Sequence, residues 1–216
     1  MFVGAIRTAS DPAPYGLRMK TALLGVALAV TTLATSTGAN PGLQSTFAQP
    51  VDKPFAKAGT IRMRLAAGDY RIGGSPDDKI RVEWRADRAD QASNIKVDAE
   101  IRGTTAVIST GGFKEGIHFK IEVPARSDID IDLSAGDLEV RGIEGNKKVE
   151  AWAGDVTVEV GQPAQYRSVE ASVRAGDLNA RPFNVSKGGL LRSFSWKGSG
   201  PYSLAVKLFA GDLTLR

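Results

Sequence analysis

Five aspartates in this chain share one setting. Each follows Ala-Gly and precedes an apolar or aromatic residue: Ala67-Gly68-Asp69-Tyr70, Ala135-Gly136-Asp137-Leu138, Ala153-Gly154-Asp155-Val156, Ala175-Gly176-Asp177-Leu178 and Ala210-Gly211-Asp212-Leu213. If strands stack at ~4.8 Å, the carboxylates of Asp137, Asp155 and Asp177 form a column that favours a cation such as Ca²⁺. The plainer chemistry is structural. Glycine adopts positive φ at a corner without a Cβ clash, and the aspartate accepts hydrogen bonds from N–H groups in the turn. The spacing does not match the Gly-rich nonapeptide of Ca²⁺-binding β-rolls, so the corner reading is preferred and no cofactor is expected.

Other candidates for chemistry are sparse. His118 is the only histidine and falls on the polar register between Ile117 and Phe119. A Ser-His-Asp triad would have to use it, and the chain has no nucleophile-elbow sequence. Asp128, Asp130 and Asp132 share the outer face of one strand and read as a solvated surface beside Lys148. A β-helix carbohydrate enzyme would gather carboxylates and basic residues in a surface cleft, for which Asp137, Asp155, Arg141 and Arg181 are the candidates. These occupy repeated structural positions, so a non-enzyme is expected. Trp152 has outward parity in the row Ser134/Trp152/Arg174/Phe209. Trp152, Arg174 and Phe209 are therefore a candidate ligand surface, through cation–π contact, sugar stacking or a protein interface. The alternative is that a loop such as 188–200 covers Trp152.

Strands must position these residues. The Gly-to-Gly steps between Ala-Gly-Asp copies are 68, 18, 22 and 35 residues. Two lie near twenty, and the last is close to twice eighteen, as in stacked repeat architectures. Period-two alternation dominates: Ile61/Met63/Leu65, Ile80/Val82/Trp84, Ile95/Val97/Ala99/Ile101, Ile117/Phe119/Ile121/Val123 and Ile129/Ile131/Leu133 alternate with polar residues, the mark of strands buried on one face. Gly- and Pro-rich turns separate them. The one helical fragment suggested is Arg85–Ser93.

Aligning three copies predicts inward rows Ile131/Val149/Ala171, Leu133/Ala151/Val173, Leu138/Val156/Leu178 and Val140/Val158/Ala180. The outward rows Asp130/Lys148/Glu170 and Arg141/Glu159/Arg181 alternate in sign, which favours adjacent strands. The predicted fold class is all-β: a β-solenoid or β-helix-like stack with Gly-Asp corners at Gly68, Asp69, Gly136, Asp137, Gly154, Asp155, Gly176, Asp177, Gly211 and Asp212. A β-sandwich is the alternative. Residues 59–127 are expected to form longer hairpins, and 128–216 the more regular stack.

Met19-Lys20 followed by the apolar run Thr21–Ala34 reads as a signal peptide over 19–48, with 1–18 an upstream extension. Small residues at −3/−1 spacing favour cleavage after Ala48, with Ala39 nearly as good. The run is short of the ~20 residues that span a bilayer. Residues 49–58 read as a linker or an edge lead-in, and 59–216 as one β-repeat domain. Arg7, Arg18, Lys20 and Asp11 account for +2 of the chain's +4, leaving +2 on the remainder. No concentrated basic face is visible, so nucleic acid is not expected as a partner. The chain has no cysteine, which excludes disulfides, thiolate catalysis and a lipid-anchoring cysteine.

The run from Ile121-Glu122-Val123-Pro124 through Ser134-Ala135-Gly136-Asp137-Leu138-Glu139-Val140, with its continuation through Ala153-Gly154-Asp155-Val156-Thr157-Val158, resembles the bacterial toastrack domain, an adhesin-type β-repeat family of unknown function. The likeness covers roughly 60–216 and is strongest over 117–180. It lies in a Val-Pro strand end followed by repeated Gly-Asp-aliphatic corners. The chain departs from that pattern in its irregular 22-residue step and its insertion around 182–201. The resemblance implies a β-solenoid-like fold at the cell envelope and brings no catalytic residues or ligand. The expected role is an exported scaffold or adhesin-like surface, periplasmic, cell-surface or secreted, for an unknown protein or glycan. The rivals are a carbohydrate-active enzyme and a tethered envelope-stress sensor or assembly partner.

Overall fold

The computed structural model describes residues 51–88, 94–112 and 116–216; the expected signal segment lies outside them, as do residues 89–93 of the expected helical fragment. The strands in chain order are β1 (Val51–Pro54), β2 (Thr60–Leu65), β3 (Asp69–Ser75), β4 (Lys79–Ala86), β5 (Lys96–Arg102), β6 (Thr105–Gly111), β7 (Ile117–Pro124), β8 (Asp128–Leu133) and β9 (Leu138–Arg141). They continue as β10 (Lys147–Ala153), β11 (Val156–Val158), β12 (Tyr166–Ala175), β13 (Leu178–Ala180), β14 (Val185–Lys187), β15 (Leu190–Lys197), β16 (Tyr202–Ala210) and β17 (Leu213–Leu215). Two short 3₁₀ turns, Pro163–Gln165 and Arg181–Phe183, complete the elements, and no α-helix occurs among the described residues.

The all-β expectation holds. The strands form two mixed sheets, neither closed into a barrel: β1-β4-β7-β3-β9-β11-β17-β13-β14 and β15-β12-β16-β10-β8-β2-β6-β5. The chain steps from the eight-stranded sheet to the nine-stranded one at every Ala-Gly-Asp corner. Each step makes a layer of one strand per sheet; with β6/β7, a sixth layer without that tripeptide, the layers stack in the order β6/β7, β2/β3, β8/β9, β10/β11, β16/β17, β12/β13. All contacts within this stack are parallel. At each end a reversed layer closes it, with β4 and β5 antiparallel to β7 and β6, and β14 and β15 antiparallel to β13 and β12.

Three expectations are corrected. The C-terminal layer β16/β17 inserts between β10/β11 and β12/β13, so the 154 and 176 copies are not neighbours. Lys148 therefore faces Ala205, not Glu170, across the sheet. Arg85 and Ala86 belong to β4 rather than to a helix. Within the 49–58 segment, β1 forms the antiparallel edge of the nine-stranded sheet, in line with the edge lead-in reading, and Phe55 is buried.

The inward rows are as the alternation predicts, apart from that inserted strand. Ile108, Met63, Ile131, Val149, Val206 and Ala171 run across one sheet; Phe119, Tyr70, Leu138, Val156, Leu213 and Leu178 run across the other. All are buried and belong to one apolar cluster that takes side chains from both sheets. Burial at ~25 cal/mol per Å² of apolar surface makes these rows the main stabilising contribution in a chain without disulfides.

Lys147 is the exception. By parity it sits in the inward row with Ile61, Ile129 and Leu204 and is buried. Its Nζ donates to the Tyr166 hydroxyl, which donates in turn to the Val160 carbonyl. Burial pushes the ammonium from 10.5 down to about 8 and the Tyr166 phenol up to about 12.

Two predictions follow from the packing. The Cβ of an alanine at Gly154 would lie 2.1 Å from the Gly136 carbonyl oxygen, at a φ of 118°. Gly154→Ala should lose at least ~2 kcal/mol in urea unfolding, from backbone strain plus overlap. For Lys147, the folded state binds its proton more weakly than the unfolded state. The burial penalty is therefore fully present below pH 8 and fades as pH rises from about 8 to 10.5. Lys147→Met should raise the unfolding free energy at pH 7 by up to ~3 kcal/mol, with the gap closing over that window.

Candidate functional site

The Ala-Gly-Asp corners form one column in the order 68, 136, 154, 211, 176. Gly136, Gly154, Gly211 and Gly176 have φ between 106° and 133°; Gly68 does not need it. The Cα of each of those four glycines sits against the carbonyl of the preceding one in the column, so that a Cβ would come within 2.0–2.1 Å of it. The ladder runs through the bend: Gly136 N–H donates to Ala153 O at 2.9 Å, Gly154 N–H to Ala210 O at 3.0 Å and Gly211 N–H to Ala175 O at 2.9 Å.

The aspartates stack with them, and their hydrogen bonds run between layers rather than within the turn. Asp155 N–H donates to Asp137 Oδ1 at 3.3 Å, Asp212 N–H to Asp155 Oδ1 at 3.2 Å, and Asp177 N–H to Asp212 Oδ1 at 3.0 Å. Asp212 thus separates Asp155 from Asp177 in the carboxylate column. Among the described residues no three His, Asp or Glu side chains converge in metal-ligand fashion. At the other end, His118 Nδ1 lies 3.0 Å from Asp69 and its Nε2 3.0 Å from Asp87. The histidine, still partly exposed on the polar face, ties strand ends together.

The catalytic candidates stay apart. Asp137 and Asp155 are at the corner, whereas Arg141 ends β9, ~13 Å further along an extended strand, and pairs with Glu139. Arg181 lies in the 3₁₀ turn after β13. A second polar column, not expected from the sequence, runs where the chain re-enters the eight-stranded sheet. Asp128 Oδ1 accepts from Asn146 N–H at 2.8 Å and from its side-chain amide at 3.1 Å, and Asn146 Oδ1 accepts from Ser203 N–H and Oγ at 2.9 Å. Its members lack a shared tripeptide, so no repeat marks them.

The outer face of the eight-stranded sheet does bring together its three expected residues. Trp152 and Phe209 stand on adjacent strands as parallel plates, centroids 4.1 Å apart and planes within 5°. The Arg174 guanidinium covers the other side of Phe209 at 5.3 Å. Segment 190–197 does not cover Trp152; it is strand β15 within the sheet, and Trp152 is 63% exposed. Leu190 and Leu191, at 70% and 75% exposure, escaped the sequence reading because their parity was hidden by a break. Leu191 holds φ 54°, which turns it outward.

Trp152, Phe209, Arg174 and Leu191 edge a groove of about 940 Å³ whose lining includes Arg64, Asp132, Ser134, Glu150 and Lys207. Lys207 pairs with Glu150 at 3.3 Å, and Lys148 with Asp130 at 3.2 Å. Hydrogen bonding to Asp130 raises the Lys148 ammonium, and Lys207 lowers the Glu150 carboxyl.

Comparison with known proteins supports the fold. A putative cell adhesion protein of Clostridium sporogenes matches with a TM-score of 0.53 at 13% identity, over 77% of this chain and 98% of that one. A putative adhesin of Bacteroides fragilis matches at TM-score 0.23 and 11% identity, over 77% of this chain and 96% of that one, a score too low to add to the first. The all-β architecture is thus that of a solved adhesion-type structure, in agreement with the resemblance seen in the sequence. No protein-family model and no curated protein matches the chain.

The aspartate ladder yields a prediction. Asp212→Ala removes the acceptor for Asp177 N–H and should cost about 1 kcal/mol. Asp212→Asn keeps an acceptor oxygen and relieves like-charge repulsion, so thermal melting should show it closer to wild type.

Proposed function

We propose that this chain is an exported, non-enzymatic β-solenoid of the bacterial envelope. Its eight-stranded sheet offers its outer face as an adhesin-like binding surface for a protein or glycan. The observation that carries this reading is the exposed Trp152, stacked on Phe209 and backed by Arg174, at the edge of a wide groove. Trp and Arg are the residues that dominate binding surfaces. Exposed apolar side chains at one place gain ~25 cal/mol per Å² when a partner covers them. Leu191 adds to this at a backbone conformation that costs ~1–3 kcal/mol, strain of the kind that gathers at binding sites.

Several observations support the rest. Stacked corners that pass the chain between two sheets favour a solenoid over a sandwich. The Clostridium protein whose fold is shared is described as a cell adhesion protein. The Met19-Lys20 and Thr21–Ala34 pattern supports export. Among the described residues no helix is long and apolar enough to cross a membrane. Separation of Asp137 and Asp155 from Arg141 and Arg181 speaks against the carbohydrate-enzyme reading.

Co-sedimentation with the envelope fraction of the encoding bacterium tests the surface. Retention should fall about tenfold for Trp152→Ala, a loss of ~1.4 kcal/mol, with the melting midpoint almost unchanged because the side chain is exposed. Equal retention of variant and wild type would remove this face from the account.

A further inference from the structure

Resting on that binding surface, we propose that the groove takes an acidic glycan, with a pyranose ring seated on the free face of Trp152 and a carboxylate of the chain held by Arg174. Phe209 occupies one face of the indole. Across the opposite face the strand register places Ser134 and then Ala66, beside the paired Leu133 and Leu65. Both side chains are small, so the indole forms the wall of a shelf whose floor is nearly bare. The C–H face of a sugar ring stacks on such a wall, as bases do on aromatic platforms.

The flank of the shelf is polar in both senses. Arg64 and Asp132 stand opposite each other on β2 and β8, and the Ser134 hydroxyl lies beside them. A polyhydroxylated ring supplies an acceptor for the arginine and donors for the carboxylate. An apolar peptide side chain in the same place would desolvate both without replacing their partners.

The acidic character comes from the far side of the aromatic pair. Three cationic side chains stand on this outer face, Arg64, Arg174 and Lys207, against the two carboxylates Asp132 and Glu150; Arg192 pairs with the buried Val173 and belongs to the inner face. Lys207 is paired with Glu150, and Arg64 faces Asp132, which leaves Arg174 as the excess. Guanidinium groups bind carboxylates through paired N–H donors. The shelf and Arg174 lie on opposite flanks of the Trp152–Phe209 stack, so an oligomer that crosses the ring edges engages both, whereas a monosaccharide reaches one.

Isothermal titration with hexagalacturonate, a hyaluronan hexamer, cellohexaose and a thymidine hexanucleotide tests this. At least one uronate oligomer should bind about tenfold tighter than cellohexaose. Ser134→Arg, which fills the shelf at an exposed position, should abolish binding without lowering the melting midpoint. Arg174→Gln should erase the preference for the acidic oligomer while cellohexaose affinity stays the same. Failure of both uronate oligomers at millimolar concentration, equal affinity for cellohexaose, or tighter binding of the hexanucleotide overturns the inference. Envelope fractions separate the two readings. If protease but not periodate treatment removes Trp152-dependent retention, the surface stands and the glycan falls. If Trp152→Ala changes nothing on untreated envelope, both fall.

Discussion

The structure depends on the close approach of backbones in the glycine column. From Gly68 to Gly176, the Cα of each later glycine rests on the carbonyl of its neighbour, with space for hydrogen only. That approach lets the ladder continue round the bend, so both sheets share one spacing and one register. A side chain there would push adjacent layers apart, and the inward rows on either side of the corner would lose their packing together. The aspartates add to the same column by accepting N–H groups from the next layer.

The ends of the stack are handled differently from its middle. Parallel layers leave open edges, which attract other strands. Here β4/β5 and β14/β15 run in reverse and terminate the stack. The β5 end carries Lys96, Asp98, Glu100 and Arg102, charges suited to a solvated edge. The β15 end instead shows Leu190 and Leu191 beside the groove. This asymmetry places the apolar surface, the stacked Trp152–Phe209 pair and Arg174 at the same end of one sheet.

Lys147 shows how far the stack tolerates a polar intrusion. One hydroxyl serves as both acceptor for its ammonium and donor to a carbonyl, so every group in the cluster is satisfied. The penalty appears in the depressed ammonium rather than in broken geometry. Parity places Lys147 in line with Val149 and Ala151, with Lys148 in the outward row beside it.

The sequence by itself determined the strand content, the inward rows, the corner residues and the outward parity of Trp152, Arg174 and Phe209. These rest on local rules: period-two burial, the freedom of glycine at positive φ, and a repeated tripeptide. Only the tertiary structure decided which layer lies beside which. Every copy offers the same corner and the same apolar parity, so pattern cannot tell β12 from β16 as the neighbour of β10. The choice follows from global packing, in which the returning chain places Phe209 against Trp152 and Lys207 against Glu150. That one insertion turned an alignment row into a stacked surface, because contact between side chains is fixed by neighbouring strands and not by repeat number.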